Sequence, residues 1–315
     1  VLKLSIIVPA DGAQQDLDNT LVAVLENRPA HCEIVVPHAD TYRDPYDLSD
    51  EVRFVASPDA TLVSLVNAGI RASQGEIVHV LGAGTIATPN WTDPVLARFE
   101  QTQDLAAVAP LLMDAQRPDR IAAAGVRYAT GGDKRWVGYG ARVSKRPRRY
   151  RIDGPALQAA FFRRKTLLKI GPFHDGYGSY HVDSDYAARL RLAGLGCEHV
   201  GESRLLTSLP KTPRGYRAGR QAEYLYRAHR DHFGAVGPRV AHAWHVTWTT
   251  LGSIPSPAAL TTLCGRVHGA LTRCPGAQMS ATADEDVQAD DVQTLRFETT
   301  QPATAEPQQI YGKTA

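Results

Sequence analysis

Hydrophobic period constrains this chain most tightly, because it switches repeatedly between strand-like and helix-like over the first 110 residues. Leu4–Pro9 (LSIIVP) is a short, nearly continuous apolar run, as expected of a strand buried on both faces. Leu17, Leu21, Val24 and Leu25 then recur at helical spacing, with the cap-favouring Asp16, Asp18 and Asn19 near the start. Strands are expected at Glu33–Val36, Val52–Val55 and Glu76–Leu81. Between the last two, a helix carries Leu62, Leu65, Val66 and Ile70 and ends near Ser73–Gly75. Strand and helix alternating at this spacing mean βαβ units, so an α/β fold with a mainly parallel sheet and helices on both faces is expected.

From Asn90 the pattern loosens. A helix is expected over Trp91–Gln101, strands over Ala106–Leu112 and Ile121–Tyr128, and a loop-rich basic stretch over Gly131–Arg151. A helix over Asp183–Ala193 stops at Gly194 and Gly196, and further helices are expected at 218–232, 236–251 and 258–271. From residue 275 the chain carries seven acids against Arg296 and Lys313, little apolar periodicity and much Ala, Thr and Gln, the composition of a disordered acidic tail. The formal net charge of +2 therefore hides +7 on residues 1–274, since 2 − (2 − 7) = 7. The expected organisation is one domain in two halves (1–110 and 111–232), a C-terminal helical segment (233–274) and the tail (275–315).

Composition excludes several classes. Cys32, Cys197, Cys264 and Cys274 are scattered without a C-x-x-C pair, which argues against a zinc ribbon or a secreted disulfide framework. No apolar run approaches the roughly 18 residues of a spanning helix, and no signal-peptide pattern opens the chain. A soluble, cytoplasmic protein is expected, with peripheral contact at the inner face of a membrane as the alternative. A start at Val1 leads one to expect a short lost N-terminal segment. His38, His79, His174, His181 and His199 match no ligand spacing and read as ordinary hydrogen-bonded histidines.

Ligands of open parallel sheets bind beyond the carboxyl ends of the strands, which here are Pro9–Gly12, Pro37–Thr41 and Gly82–Thr85, with Asn67–Gly69 nearby. At these places the chain resembles the inverting glycosyltransferases of family 2, which have the GT-A nucleotide-diphospho-sugar transferase fold. The resemblance rests on LSIIVPA (4–10), NAGI (67–70), GEIVHVLGAGTIATPNW (75–91), LLKIGPFHD (167–175) and VDSDYAARLRLAGL (182–195), in order over about residues 3–232. It implies a nucleotide-diphospho-sugar donor met by Pro9, Asp11, Asp40, Asn67, Gly69, Gly82 and Gly84, and a glycan or lipid-linked acceptor.

The resemblance breaks where the family's metal chemistry sits. The family's Asp-x-Asp, which holds the ribose and a Mn²⁺ or Mg²⁺, falls on Gly82-Ala83-Gly84, and glycine offers no side-chain oxygen to a hard cation. The family's base-contacting Asp falls on Pro37, with Asp40 three residues on, and its metal-binding His falls near Thr207. No metal ligand is therefore assigned. The family's catalytic base falls on Asp183; spacing alone favours a helix N-cap there, and the resemblance favours the base. Asp185 is spaced i,i+4 from Arg189 for a helix-supporting pair.

Arg146, Arg148 and Arg149 in the basic stretch, together with Asp185, are candidates for acceptor or phosphate contact; the competing reading of the stretch is a solvated loop. Few aromatics interleave with these cations, so nucleic acid is not expected as a partner. Two functions stay open. One is an inverting glycosyltransferase with weak or absent metal dependence. The other is a degenerate relative that binds a nucleotide, glycan or partner without turnover.

Overall fold

The computed structural model of the chain describes residues 2–129, 133–144, 148–230, 238–251 and 256–274. The acidic tail, together with Lys145 and Arg146 of the basic stretch, lies outside the described residues. In chain order the elements are β1 (Leu4–Ile7), α1 (Gln14–Glu26), β2 (Cys32–His38), β3 (Arg53–Ala56), α2 (Leu62–Ala72), β4 (Ile77–Leu81), β5 (Ile86–Ala87), α3 (Asp93–Gln101) and β6 (Leu105–Asp114). There follow β7 (Ile121–Ala123), β8 (Val126–Ala129), β9 (Asp133–Trp136), β10 (Ala159–Arg163), α4 (Arg164–Ile170), α5 (Gly178–Leu192), β11 (Gly196–Thr207), α6 (Tyr216–His229), α7 (Pro238–Leu251) and α8 (Pro257–Leu271).

The main sheet runs β3-β2-β1-β4-β10-β6-β11-β5, with β7 on β6, while β8 and β9 form a separate hairpin. β3, β2, β1 and β4 are mutually parallel, as the βαβ pattern predicts. β10 then enters antiparallel between β4 and β6, and β6 pairs parallel with β11. The sheet is thus mostly parallel, with its two halves joined by a strand from the middle of the chain.

Adjacent residues of a strand face opposite sides of the sheet, and both sides are covered. Ile6 and Phe161 pack with Leu17, Leu21 and Val24 of α1 and Phe99 of α3. Ile7 and Phe162 pack with Val66 of α2 and Val182, Tyr186 and Leu190 of α5. Gly69 is where α2 touches the sheet: a Cβ there would lie 2.4 Å from Ile7 Cγ2, so only glycine allows this approach. α1 starts at Gln14 with Ala13 as an N-cap that makes no side-chain cap bond, earlier than the Asp16–Asn19 cluster suggests. Asp16 instead lies in the first turn, where its charge favours the helix dipole.

α8 crosses α6 at glycine: a Cβ on Gly265 would come within 1.9 Å of Tyr216 O, and one on Gly219 within 2.0 Å of Thr262 O. α7 docks through polar groups, His242 Nε2 bonding Glu223 Oε2 at 2.9 Å and His245 pairing with Asp133. Apolar side chains of both helices lie outside. Val240, Trp244 and Trp248 of α7 are 76, 68 and 66% exposed, and Leu260, Val267 and Leu271 of α8 are also exposed. No helix among the described residues is long and apolar enough to cross a membrane.

Candidate functional site at the carboxyl edge of the sheet

The turn after β4 is closed on itself. Gly82 N donates to Gln158 O (2.8 Å), Gly84 N to Asp16 O (3.1 Å) and to Thr20 Oγ1 (3.0 Å), and Thr85 N to Gly82 O (3.1 Å). These three amides are spent inside the protein, so the phosphate cradle that a glycine turn can form is not built from them. Gly84 has φ +82°, the left-handed region where glycine is unstrained. The Gln158 side chain fills the space a residue at 82 would use: a Cβ there would lie 2.8 Å from its amide. That amide donates to Thr85 Oγ1 (2.7 Å) and Ala83 O (3.3 Å), and Thr85 in turn meets Thr207 Oγ1 at 3.5 Å.

Gln158 leads directly to Asp183. Leu157 N, one residue earlier, donates to Asp183 Oδ2 at 3.5 Å, which ties that carboxylate to the Gly82 edge through two consecutive residues. Asp183 is not a helix cap, because α5 begins at Gly178 and Asp183 lies within it. Its carboxylate takes both contacts from one cation: Lys134 Nζ lies 3.1 Å from Oδ1 and 3.0 Å from Oδ2. Both side chains are almost wholly buried. Lys134 also sits 4.0 Å from the ring centroid of Trp136 and 4.2 Å from that of Tyr180, so two aromatic faces and one carboxylate hold it. Burial pulls the Lys134 ammonium below its usual pKa, and Asp183 opposes that shift.

Lys134 belongs to β9, in what the sequence reads as a loop. Strand alternation turns Lys134 and Trp136 to one face and leaves Arg135 exposed. The Lys-x-Trp pattern was the available signal for this cation, and Gln158 carried none.

Other candidate residues are placed differently. Pro9 is buried at the end of β1, and beyond it Asp11 is held by burial at a raised pKa of about 6. Pro37 lies within β2, its carbonyl accepting from Ala10 N at 2.9 Å, and Asp40 is exposed just beyond. Asn67 clamps Phe173 from both sides, its Nδ2 donating to Phe173 O and its Oδ1 accepting from Phe173 N, each at 2.9 Å. That amide is therefore committed to holding the loop before α5. Asp185 pairs with Arg189 Nε (3.0 Å), as its spacing predicts, and with His229 Nε2 (2.7 Å), which joins α5 to α6. Its two oxygens are occupied by these partners.

Arg148 stacks on Tyr150, 5.5 Å from the ring centroid. Arg149 lines a cavity of about 270 Å³ with Arg98 of α3 and Glu198 and Glu202 of β11, a group that includes neither Lys134 nor Asp183. Arg146 falls outside the described residues. Burial lowers the pKa of His79, His174, His181 and His199. His79 accepts from Trp91 Nε1 at 3.2 Å and stacks on Phe161, and burial holds it near pKa 3.

The residues present do not fit the divalent cation of the resembled family. Positions 82 and 84 carry no ligand, Gln158 occupies the adjoining space, and no group of three His, Cys, Asp or Glu among the described residues is placed to hold a metal.

No family model matches the sequence, and no curated protein matches it. Among solved structures the chain is similar to the mannosyltransferase PcManGT from Pyrobaculum calidifontis, determined in complex with GDP-mannose and Mn²⁺. The TM-score is 0.49 at 16% sequence identity, and the match covers 85% of this chain and 75% of that one.

Proposed function

We propose that this chain is an inverting glycosyltransferase using a nucleotide-diphospho-sugar, with Asp183 as base and without a metal at the β4 turn. The supporting observation is Asp183 itself: a buried carboxylate on a rigid helix, tied through Leu157 and Gln158 to the strand edge where α/β sheets take ligands. In the reaction an acceptor hydroxyl oxygen bonds to the anomeric carbon while the bond from that carbon to the donor phosphate breaks. The hydroxyl proton passes to Asp183, and the nucleoside diphosphate leaves with the bonding electron pair. Lys134 fixes the direction of the carboxylate, and it must yield one of its two contacts as the acceptor arrives.

The test is turnover across UDP- and GDP-sugars with a panel of acceptors, for wild type and Asp183→Asn. The amide cannot take the proton, so transfer should fall about 100-fold or more. Donor affinity should change by less than about twofold on adding EDTA, well short of the tenfold that 1.4 kcal/mol represents. Unaltered turnover in the variant removes Asp183 from the chemistry.

A second reading, binding without turnover, is favoured by the same pair: Lys134 covers both oxygens of Asp183, and the glycine-turn amides are already satisfied. Nucleotide or glycan binding with no transfer across the panel would establish it.

A further inference from the structure

A cavity of about 570 Å³ opens beside Lys134, between β9, the first turn of α5, α6, α8 and Trp248 of α7. Its chemistry is two-sided. Arg135 and Arg214 are exposed at its mouth, and neither has an ion-pair or hydrogen-bond partner among the described residues. Lys134 and Arg266 stand in its wall, already paired to Asp183 and Asp133. Asp133 is the sole acid among its described lining residues, and it is paired with Arg266 and His245. His181 also lines the cavity; it is only 3% exposed, and its Nδ1 has no partner among the described residues. A buried imidazole nitrogen left unsatisfied is a costly feature for a protein to carry unless a ligand completes it.

The cavity also has an apolar lining. Leu263, Ala259 and Ala218 lead to Trp248, whose indole stacks on Trp244 with ring centroids 5.9 Å apart. Val240 continues the line one turn further, and all three α7 side chains are open to solvent. Cations and a hydrogen-bonding imidazole therefore end where an exposed hydrophobic ridge begins.

We propose that this cavity binds an amphiphile whose head is a phosphate ester and whose tail is apolar. Arg135 and Arg214 pair with the head, and Trp248, Trp244 and Val240 cover the tail. Guanidinium groups match phosphate oxygens in paired hydrogen bonds, and indole suits the boundary between a charged head and a hydrocarbon chain. The phosphate is a handle that seats the ligand, and any hydroxyl that reacts is a different group of it. As an acceptor class this rests on the transferase reading, since Lys134 joins the cavity wall to Asp183; as a binding property it does not.

Calorimetry on the full chain, without donor, tests it with dodecyl phosphate held below its micelle concentration, inorganic phosphate and dodecanol. Dodecyl phosphate should bind at one site at least about tenfold more tightly than either fragment. Arg135→Gln with Arg214→Gln should weaken it about tenfold or more. Trp248→Ala should weaken dodecyl phosphate while leaving inorganic phosphate unchanged. All three positions are exposed, so melting temperatures should hold. Equal affinity for dodecanol, indifference to the arginine changes, or attachment only to vesicles of anionic phospholipid would each overturn the proposal. Binding is read here without donor and without turnover, so a failed transferase reading and a failed binding site give different results.

Discussion

At the scale of single residues, the Lys134–Asp183 pair governs how any variant of the proposed base is read. Removing one member of a buried ion pair leaves the other charged and unpaired, which typically costs about 3–5 kcal/mol. Lys134→Met should therefore destabilise strongly, and Asp183→Asn should lower the melting temperature too, because it acts on the pair and not on a helix cap. The double variant Lys134→Met/Asp183→Asn should recover much of the loss, since no buried charge remains. Denaturant titration of the four proteins gives the coupling, and simple additivity of the single losses would show that the pair contributes nothing as a unit. Asp183 was singled out in the sequence because its motif is ordered along the chain. Lys134 was not identifiable as its partner: the contact spans 49 positions, and Lys-x-Trp in a basic stretch looks like any solvated segment. Asn67 shows the converse, since the motif marks the residue while only the fold reveals that its amide holds Phe173.

At the scale of elements, β1, β2, β3, β4 and the helices between them follow from hydrophobic period, because each is a short run with one strong pattern. β10 escaped because AAFFR passes straight into α4 without a turn residue between them. β11 escaped because its register is interrupted twice and Glu198, His199, Glu202 and Arg204 interleave with its apolar residues. α5 begins five residues before Asp183, since its buried face already includes His181 and Val182. The α6–α8 crossing makes the sharpest prediction here. Gly265→Ala places a methyl against the Tyr216 carbonyl, a backbone atom that cannot swing aside, so α8 must move. A loss of about 1–3 kcal/mol is expected from such overpacking. Faster amide hydrogen exchange along α8, with exchange in β1 and β4 unchanged, would locate the damage; wild-type exchange in α8 would refute the close packing.

For the whole molecule, pH sensitivity follows from buried histidines. Burial lowers His79 and His181 to about 3 and His199 to about 4, whereas the unfolded chain holds each near 6.5. Below pH 6.5 the unfolded state therefore binds more protons at these three sites, and stability falls as pH drops towards 4. Asp11 acts oppositely: its pKa is raised to about 6, so its contribution is present at low pH and is lost as pH rises through 6. The net uptake on unfolding near pH 5 should be about two protons, a slope of roughly 2.7 kcal/mol per pH unit. Denaturant unfolding at pH 7, 6 and 5 measures this, and His79→Gln should remove about one proton from the slope whatever it does to stability. A flat profile would contradict the burial of these rings.

The antiparallel insertion of β10 also sets a timetable for synthesis. β4 is complete at Leu81, yet the strand that covers its free side begins at Ala159. At a translation rate of about 5–20 residues per second, that side stays unpaired for roughly 4–16 s on each ribosome. Throughout that interval the nascent chain exposes an apolar strand edge capable of pairing with another chain. Its yield in a cell should thus depend on chaperones engaging the first 158 residues as much as on the stability of the finished fold.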